Sequence, residues 1–288
     1  MIAFVLSGGG NRGALEVGAL QALFAYGIRP DLLVGTSAGA MNAAFLATDP
    51  TALGVDRLAG LWLKVRAKDV YPGGYLAPAW RLLTGKDSFY SGDALRRFVR
   101  RHMPPGVTTF ADLKVPLYVT AADLRTRTLY LFGDDLAAPL LDAVRASAAI
   151  PTILPPIYAD GQQLVDGGIV ANVPISIALD KGAKTIYAIN VGYSGEPTAP
   201  ARGLLEIASR AIATMQYQNL LDDLERASYT PGITLHHIRI SAFSDLSFRD
   251  FSRAADMIAE GRRITEEYLL NPRPVRAGQM LRARWIRP

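Results

Sequence analysis

The residues with most to offer chemically are a serine and an aspartate, each set among glycines. Gly35-Thr36-Ser37-Ala38-Gly39 is a G-x-S-x-G pentapeptide between an apolar run, Leu32 to Thr36, and a helical pattern from Ala38 to about Ala47. A nucleophilic serine needs a tight strand-to-helix turn, where the backbone is strained and bulky neighbours would clash. Gly35 and Gly39 supply that freedom, and the helix aims its positive end at Ser37, where negative charge would develop. A glycine-rich turn whose serine merely caps the helix satisfies the same pattern, so the pentapeptide alone leaves catalysis and capping both open.

Gly8-Gly9-Gly10-Asn11-Arg12-Gly13 follows the first apolar run and opens the first helical pattern, which leaves backbone N–H groups free to face an anion. Gly8, Gly10 and Gly13 meet the dinucleotide pattern G-x-G-x-x-G. That reading also wants an acid roughly 20 residues on, at the end of the second strand. The second strand here ends in Thr36 and Ser37, and Asp31 stands at its wrong end. A loop that does not hold a pyrophosphate can instead hold the oxyanion of an ester attacked by Ser37. Parallel strands deliver their C-terminal ends to one edge, which places loop and elbow side by side. Arg12 would orient the loop or meet a phosphate.

A serine hydroxyl also needs a proton acceptor. The chain has three histidines: His102 in an Arg-rich segment, and His236 and His237 on an expected strand, facing opposite ways. The order Ser37, Asp166, then His236 or His237 matches α/β-hydrolases, although those enzymes place the elbow after several strands. Asp166-Gly167-Gly168 follows a short strand. Asp and Gly are ordinary turn residues, but the two glycines would let the carboxylate bend toward a neighbouring loop. On the residues alone the base stays open between a histidine and Asp166.

The elements that must position these groups alternate strand and helix, an α/β pattern. Strands are expected at Ile2 to Leu6, Leu32 to Thr36, Leu117 to Ala121, Thr128 to Phe132, Gln163 to Val165, Lys184 to Val191 and Thr234 to Ile240. Helices are expected at Ala14 to Tyr26, Ala38 to Ala47, Leu140 to Ala149, Leu204 to Ser228 and Asp250 to Leu270. The strands are almost wholly apolar, as when helices cover both sheet faces. Two stretches look irregular, Asp69 to Ser91 and Gly192 to Arg202. The first carries Tyr71, Tyr75, Trp80, Phe89 and Tyr90, which would line an acyl groove, touch a membrane interface or form an aromatic mini-core.

With 288 residues, half of them apolar, the chain can bury one sizeable core. The absence of cysteine excludes disulfides, thiolate metal sites and a Cys nucleophile. No stretch approaches the ~20 apolar residues of a membrane span, and Met1 to Leu6 reads as a buried strand rather than a signal peptide. The protein is therefore expected to be cytoplasmic or peripheral to a membrane, with export without a cleaved signal still open. A net charge of +5 favours an anionic lipid surface, and no nucleic-acid partner is expected. Arg96, Arg97, Arg100 and Arg101, and the terminal Arg273, Arg276, Arg282, Arg284 and Arg287, read as solvated faces and a loose tail.

Taken in order, the glycine loop at Gly8 to Gly13, the elbow at Gly35 to Gly39 and Asp166-Gly167-Gly168 resemble the signature of the patatin-like phospholipases. Ala146-Ser147 with Pro151, and Asn172 with Pro174, resemble that family as well. The resemblance implies a three-layer α/β/α fold with a mostly parallel central sheet and a nucleophile elbow. It implies a Ser-Asp dyad, with Ser37 as nucleophile and Asp166 as general base. It further implies an oxyanion hole from Gly8, Gly9, Gly10, Asn11, Arg12 and Gly13, with Gly35, Gly39, Gly167 and Gly168 as supports. The expected reaction is hydrolysis of acyl esters in phospholipids, lysophospholipids or other acyl lipids, without calcium, metal or cofactor. Residues 1–191 would form the catalytic region, with 192–288 packed on it. An acyl transferase and a Ser-Asp-His esterase are the alternatives. Oligomeric state is left open.

Overall fold

The computed structural model describes residues 1–73, 80–81, 83–192 and 200–276. Tyr75, most of the stretch from Gly192 to Arg202, and Arg282, Arg284 and Arg287 lie outside the described residues. The strands are β1 (Ile2–Leu6), β2 (Leu32–Gly35), β3 (Leu117–Asp123), β4 (Thr128–Phe132), β5 (Ile157–Ala159), β6 (Gln162–Asp166), β7 (Thr185–Asn190), β8 (Thr234–Arg239) and β9 (Val275–Arg276). The helices are α1 (Gly13–Ala25), α2 (Ala38–Thr48), α3 (Ala52–Trp62), α4 (Ala67–Val70), α5 (Asp93–His102), α6 (Leu140–Ser147), α7 (Gly168–Ala171), α8 (Ile175–Asp180), α9 (Leu204–Tyr229) and α10 (Ala254–Leu270).

β3, β2, β1, β7 and β8 run parallel in that order, the mostly parallel sheet expected. Their apolar runs follow from burial on both faces. Successive side chains alternate sides, so Phe4 and Leu6 of β1 enter one core while Ala3 and Val5 enter the other. The first core takes side chains from α1, α2, α3, α6 and α10, and the second takes Ile175, Ile177 and Ala178 of α8 with Leu220 and Ala227 of α9. Helix, sheet and helix thus form three layers. Each fully buried Leu or Phe contributes about 1.5–3 kcal/mol, which is why the layers hold around so apolar a centre. α1 and α10 approach so closely that a Cβ at Gly18 would strike the Ile258 carbonyl, and one at Gly261 the Leu15 carbonyl.

One register matters for the site. β4 pairs with β3 from Val119 to Asp123 along one edge. Along the other edge β2 pairs with the first part of β3, Gly35 facing Val119, and antiparallel β6 with the last part, Asp166 facing Ala121. β2 and β6 therefore run toward each other along one strand, and their ends meet beside Thr120.

Some elements differ from expectation. α3, β5, α7, α8 and β9 were not anticipated, and α10 begins at Ala254 rather than Asp250. Asp250 is held in a turn: its carboxylate accepts from the Ser252 amide at 2.9 Å and the Ser252 hydroxyl at 2.6 Å, a side-chain pattern that competes with helix. Among the described residues no helix is long and apolar enough to cross a membrane.

Candidate active site

β2 runs directly into α2 through Ser37, whose φ of 56° and ψ of −120° are strained for any residue but glycine. The strain is held by neighbours. The Thr36 amide donates to the Leu6 carbonyl at 3.1 Å and the Gly39 amide to the Ser7 carbonyl at 3.2 Å. The Ser37 amide donates to Ser147 Oγ at 2.8 Å. A Cβ at Gly39 would run into the carbonyls of Leu6 and Ser7, so the elbow can press on the end of β1 only as glycine. Beneath it the Thr120 hydroxyl donates to Thr36 Oγ1 at 2.7 Å, and Thr36 donates onward to the Ala171 carbonyl at 2.8 Å.

Asp166 ends β6, its amide donating to the Ala149 carbonyl at 2.9 Å. Its carboxyl accepts from the Gly168 amide at 2.7 Å and lies near enough to the Ser37 side chain for that hydroxyl to lower its pKa. Both residues are only 6% exposed. Burial raises the Asp166 pKa to about 6, with the Ser37 hydroxyl and the Gly168 amide holding it below where burial alone would take it. A Cβ at Gly167 would strike Thr120, and Gly168 has Asn172 and Gln216 close by.

The glycine loop divides in use. The Gly8 amide donates to the Asn172 carbonyl at 3.0 Å, and Asn172 Nδ2 returns a bond to the Gly8 carbonyl at 3.3 Å. The Arg12 amide donates to the Gly9 carbonyl at 3.2 Å. The amides of Gly9 and Gly10 have no hydrogen-bond partner among the described residues. Gly10, at φ 59°, lines the same cleft as Ser37. Asn11 turns its side chain away to hold the far loop, Nδ2 donating to the carbonyls of Ser247 at 2.9 Å and Asp250 at 2.6 Å. Arg12 is partly buried, and that burial lowers its pKa. Gly13 opens α1 against Trp62, and Gly35 lies against the backbone of Ala40.

In front of Ser37 lies an apolar cleft walled by Met41, Trp62, Val70, Tyr71, Leu95 and Phe251. Tyr71 belongs to the aromatic-rich stretch and does two jobs there. It lines the cleft and packs in a small aromatic core, 5.4 Å from Tyr90 and 5.2 Å from Phe248 between ring centres. Its phenol is pushed upward, first by burial and then by the Asp166 charge.

None of the histidines stands at the elbow. His236 and His237 lie on β8, three strands from β2, or ~14 Å at ~4.8 Å per strand. His236 stacks on Tyr187 with ring centres 4.3 Å apart. His237 is paired with Asn190 at 3.2 Å, and burial drives its pKa down to about 4. His102 ends α5, its Nδ1 2.8 Å from the Phe98 carbonyl. Among the described residues no cluster of three or more His, Cys, Asp or Glu could hold a metal ion.

Four residues of this site were not read from the sequence for what they do: Thr120, Glu16, Asn42 and, in its local role, Ser147. The signal for Glu16 was present, a lone acid in the otherwise apolar opening of α1.

Fold and site together define a class: an α/β/α sheet protein whose elbow serine meets a buried aspartate. The family model described as Patatin-like phospholipase matches residues 4–179, and the chain belongs to the patatin-like phospholipase family. It is 34% identical over 197 residues to human patatin-like phospholipase domain-containing protein 6, covering 68% of this chain and 14% of that protein. It is 25% identical over 282 residues to lysophospholipase NTE1 of Saccharomyces cerevisiae, covering 87% of this chain and 15% of that protein. This chain thus spans about one seventh of the length of the curated relatives it matches. Among solved structures, VipD from Legionella pneumophila shares the fold, with a TM-score of 0.51 at 17% identity over 93% of this chain and 66% of that one.

Proposed function

We propose that this chain is a serine hydrolase of acyl lipids in which Ser37 attacks the ester and Asp166 takes its proton. The observation that carries this reading is the juxtaposition of Ser37 and the buried Asp166 carboxyl, where β2 and β6 end on one edge of β3, at an apolar cleft beside unpartnered glycine amides. As Ser37 Oγ bonds to the carbonyl carbon, its proton passes to Asp166 and the carbonyl electron pair moves onto oxygen, where the Gly9 and Gly10 amides hold it. The tetrahedral adduct collapses, the leaving alcohol takes the proton from Asp166, and an acyl-serine remains. Water then attacks this ester, giving one proton to Asp166. Ser37 leaves, recovers that proton, and the fatty acid is released.

A base with a pKa of about 6 is ionised at neutral pH yet still worth protonating, close to the best compromise for general-base work. The strained elbow and the two free amides cost nothing further at the moment of reaction, because both are already in place. No step calls on calcium or another metal.

The apolar cleft and the likeness to a patatin-like phospholipase domain-containing protein and a lysophospholipase favour phospholipids and lysophospholipids as substrates. Acyl transfer to a thiol or another alcohol is the second reading, since an acyl-serine can be opened by acceptors other than water. A panel of phospholipids, lysophospholipids and short p-nitrophenyl esters, assayed with Ser37→Ala and Asp166→Asn, tests the proposal. Loss of the general base is expected to lower turnover by about 100-fold to 10,000-fold. Near-normal turnover in Asp166→Asn, with Ser37→Ala inactive, would sink the dyad.

Peripheral contact with an anionic lipid surface belongs to the same reading. The first turns of α9 present Leu204, Ile207, Ala208, Ala211, Ile212 and Met215 at helical spacing, all exposed, Leu204 by 83% and Met215 by 52%. This stripe lies opposite the packed face of Tyr217, Leu220 and Leu224. The helix also touches the dyad loop, Asn219 Nδ2 donating to the Val170 carbonyl at 3.1 Å. An apolar stripe beside the site, on a chain of net charge +5, matches an anionic phospholipid surface in both respects.

A further inference from the structure

Glu16 is fully buried in the first turn of α1, directly beneath the glycine loop. A carboxyl is rarely placed there unless its bonds are needed, since burying one without partners costs several kcal/mol. Its bonds reach every part that shapes the elbow. Oε2 accepts from Asn42 Nδ2 at 2.8 Å, and the same Nδ2 donates to the Gly13 carbonyl at 2.9 Å, the C-terminal end of the glycine loop. Oε1 lies 3.4 Å from Ser7 Oγ, at the loop's other end. Ser7 Oγ in turn accepts from the Val191 amide at 2.9 Å, next to β7. Asn42 sits one turn into the elbow helix, and its Oδ1 accepts from Trp62 Nε1 at 2.8 Å. Trp62 walls the cleft and abuts Gly13.

We propose that Glu16 is the positioning residue of the glycine loop: one buried carboxyl ties both ends of the loop to the elbow helix and the cleft wall. This rests on the hydrolase reading above, because what it positions is the oxyanion-binding backbone opposite Ser37. Glu16 touches neither substrate nor Ser37, so its effect reaches the reaction only through the loop.

Geometry and charge then act together. Burial raises the Glu16 pKa to about 8, against the lowering pull of Asn42 and Ser7. At neutral pH the carboxyl is protonated, with Oε1 accepting from the Ser7 hydroxyl and Oε2 from Asn42. Above about 8 it ionises, and a negative charge stands under the loop that must stabilise an oxyanion. Among the described residues no charged group is recorded as offsetting it. Arg12, one turn earlier, forms no ion pair with it, and the influences on Glu16 are burial and the Asn42 and Ser7 bonds alone. On α3, Asp56 is held by Gln21 and Arg57 by Asp49. On α10, Asp256, Glu260, Arg262, Arg263, Glu266 and Glu267 are tied up in surface ion pairs. β7 brings only Tyr187, and α2 carries no charged residue.

The test is a pH profile of kcat and KM on a soluble ester for the wild type, Glu16→Gln and Glu16→Leu, with fluorophosphonate labelling of Ser37 alongside and folding checked by circular dichroism. Glutamine keeps the shape and the acceptor for Asn42 but cannot ionise. The wild type should lose kcat above about pH 8, and Glu16→Gln should keep it there, with kcat at neutral pH within about twofold of wild type. Glu16→Leu should lose about tenfold or more in kcat with KM little changed, the mark of a misplaced loop. An alkaline fall that persists in Glu16→Gln would overturn the proposal, as would a folded Glu16→Leu with normal kcat. If Glu16→Leu does not fold, Glu16→Gln decides alone. Wild-type protein that the probe leaves unlabelled would overturn the hydrolase reading and this role with it. A labelled wild type with an unchanged Glu16→Gln profile overturns the role of Glu16 only.

Discussion

Two buried acids, Glu16 and Asp166, set the behaviour of single residues in this site, and both are held above their ordinary pKa by desolvation. A raised carboxyl pKa means the folded chain keeps a proton that the unfolded chain releases. For Glu16 that difference spans pH 4.5 to about 8, and stability falls as pH rises through that window. Glu16→Gln removes the titration, so its Tm advantage over wild type should be small near pH 5 and grow toward pH 8 in thermal scans. A Tm difference that stays flat with pH would contradict it. In the sequence, residue type and glycine spacing pointed to Ser37, whereas Asp166 stood on the resemblance to the patatin-like phospholipases and on the lack of a well-placed histidine. Glu16 was not, because a lone glutamate in a helix is ordinarily on the surface. Only the packing of α1 against Ser7 and Asn42 shows that its face is sealed.

At the scale of elements, the meeting of Ser37 and Asp166 is a consequence of β3. Its one edge serves β2 first and β6 afterwards, so a chain running up and a chain running down end at the same place, with Thr120 between them. The sequence announced the strands and the glycine turn after β6. It gave no sign that β6 runs antiparallel or shares an edge with β2, since register lives in pairing rather than in either strand alone. α3 was readable in principle, with Val55, Leu58, Ala59 and Trp62 at helical spacing behind a Thr51 cap. α6 contributes by holding the elbow, through Ser147 Oγ and the Ser37 amide. Ser147→Ala leaves that buried amide unpaired, which should cost about 1–3 kcal/mol in urea unfolding and lower turnover with it. Unchanged stability and turnover would mean that the elbow is held elsewhere.

Over the whole molecule, the layered core frames the cleft beside Ser37 and leaves the apolar stripe of α9 exposed. Under the proposed function the cleft takes the ester and the stripe meets the aggregated lipid. The two functions separate experimentally. Ile207→Glu with Met215→Glu should weaken sedimentation with anionic phosphatidylglycerol vesicles and slow hydrolysis of vesicle lipid, while turnover of a soluble p-nitrophenyl ester stays within about twofold. Equal loss on both substrates would place the stripe in folding rather than in lipid contact. Of the basic clusters noted in the sequence, α5 ends in Arg100, Arg101 and His102, and no ligand role follows from its position.

The pairing of Ser37 with Asp166 is tested most directly by the rate at which a fluorophosphonate labels Ser37 as pH is varied, in wild type and in Asp166→Asn. Wild-type labelling should rise with pH through an apparent pKa near 6, the value burial sets for Asp166, and Asp166→Asn should label at least about 100-fold more slowly with that rise gone. Fast labelling of Asp166→Asn with the same rise near pH 6 would contradict the dyad.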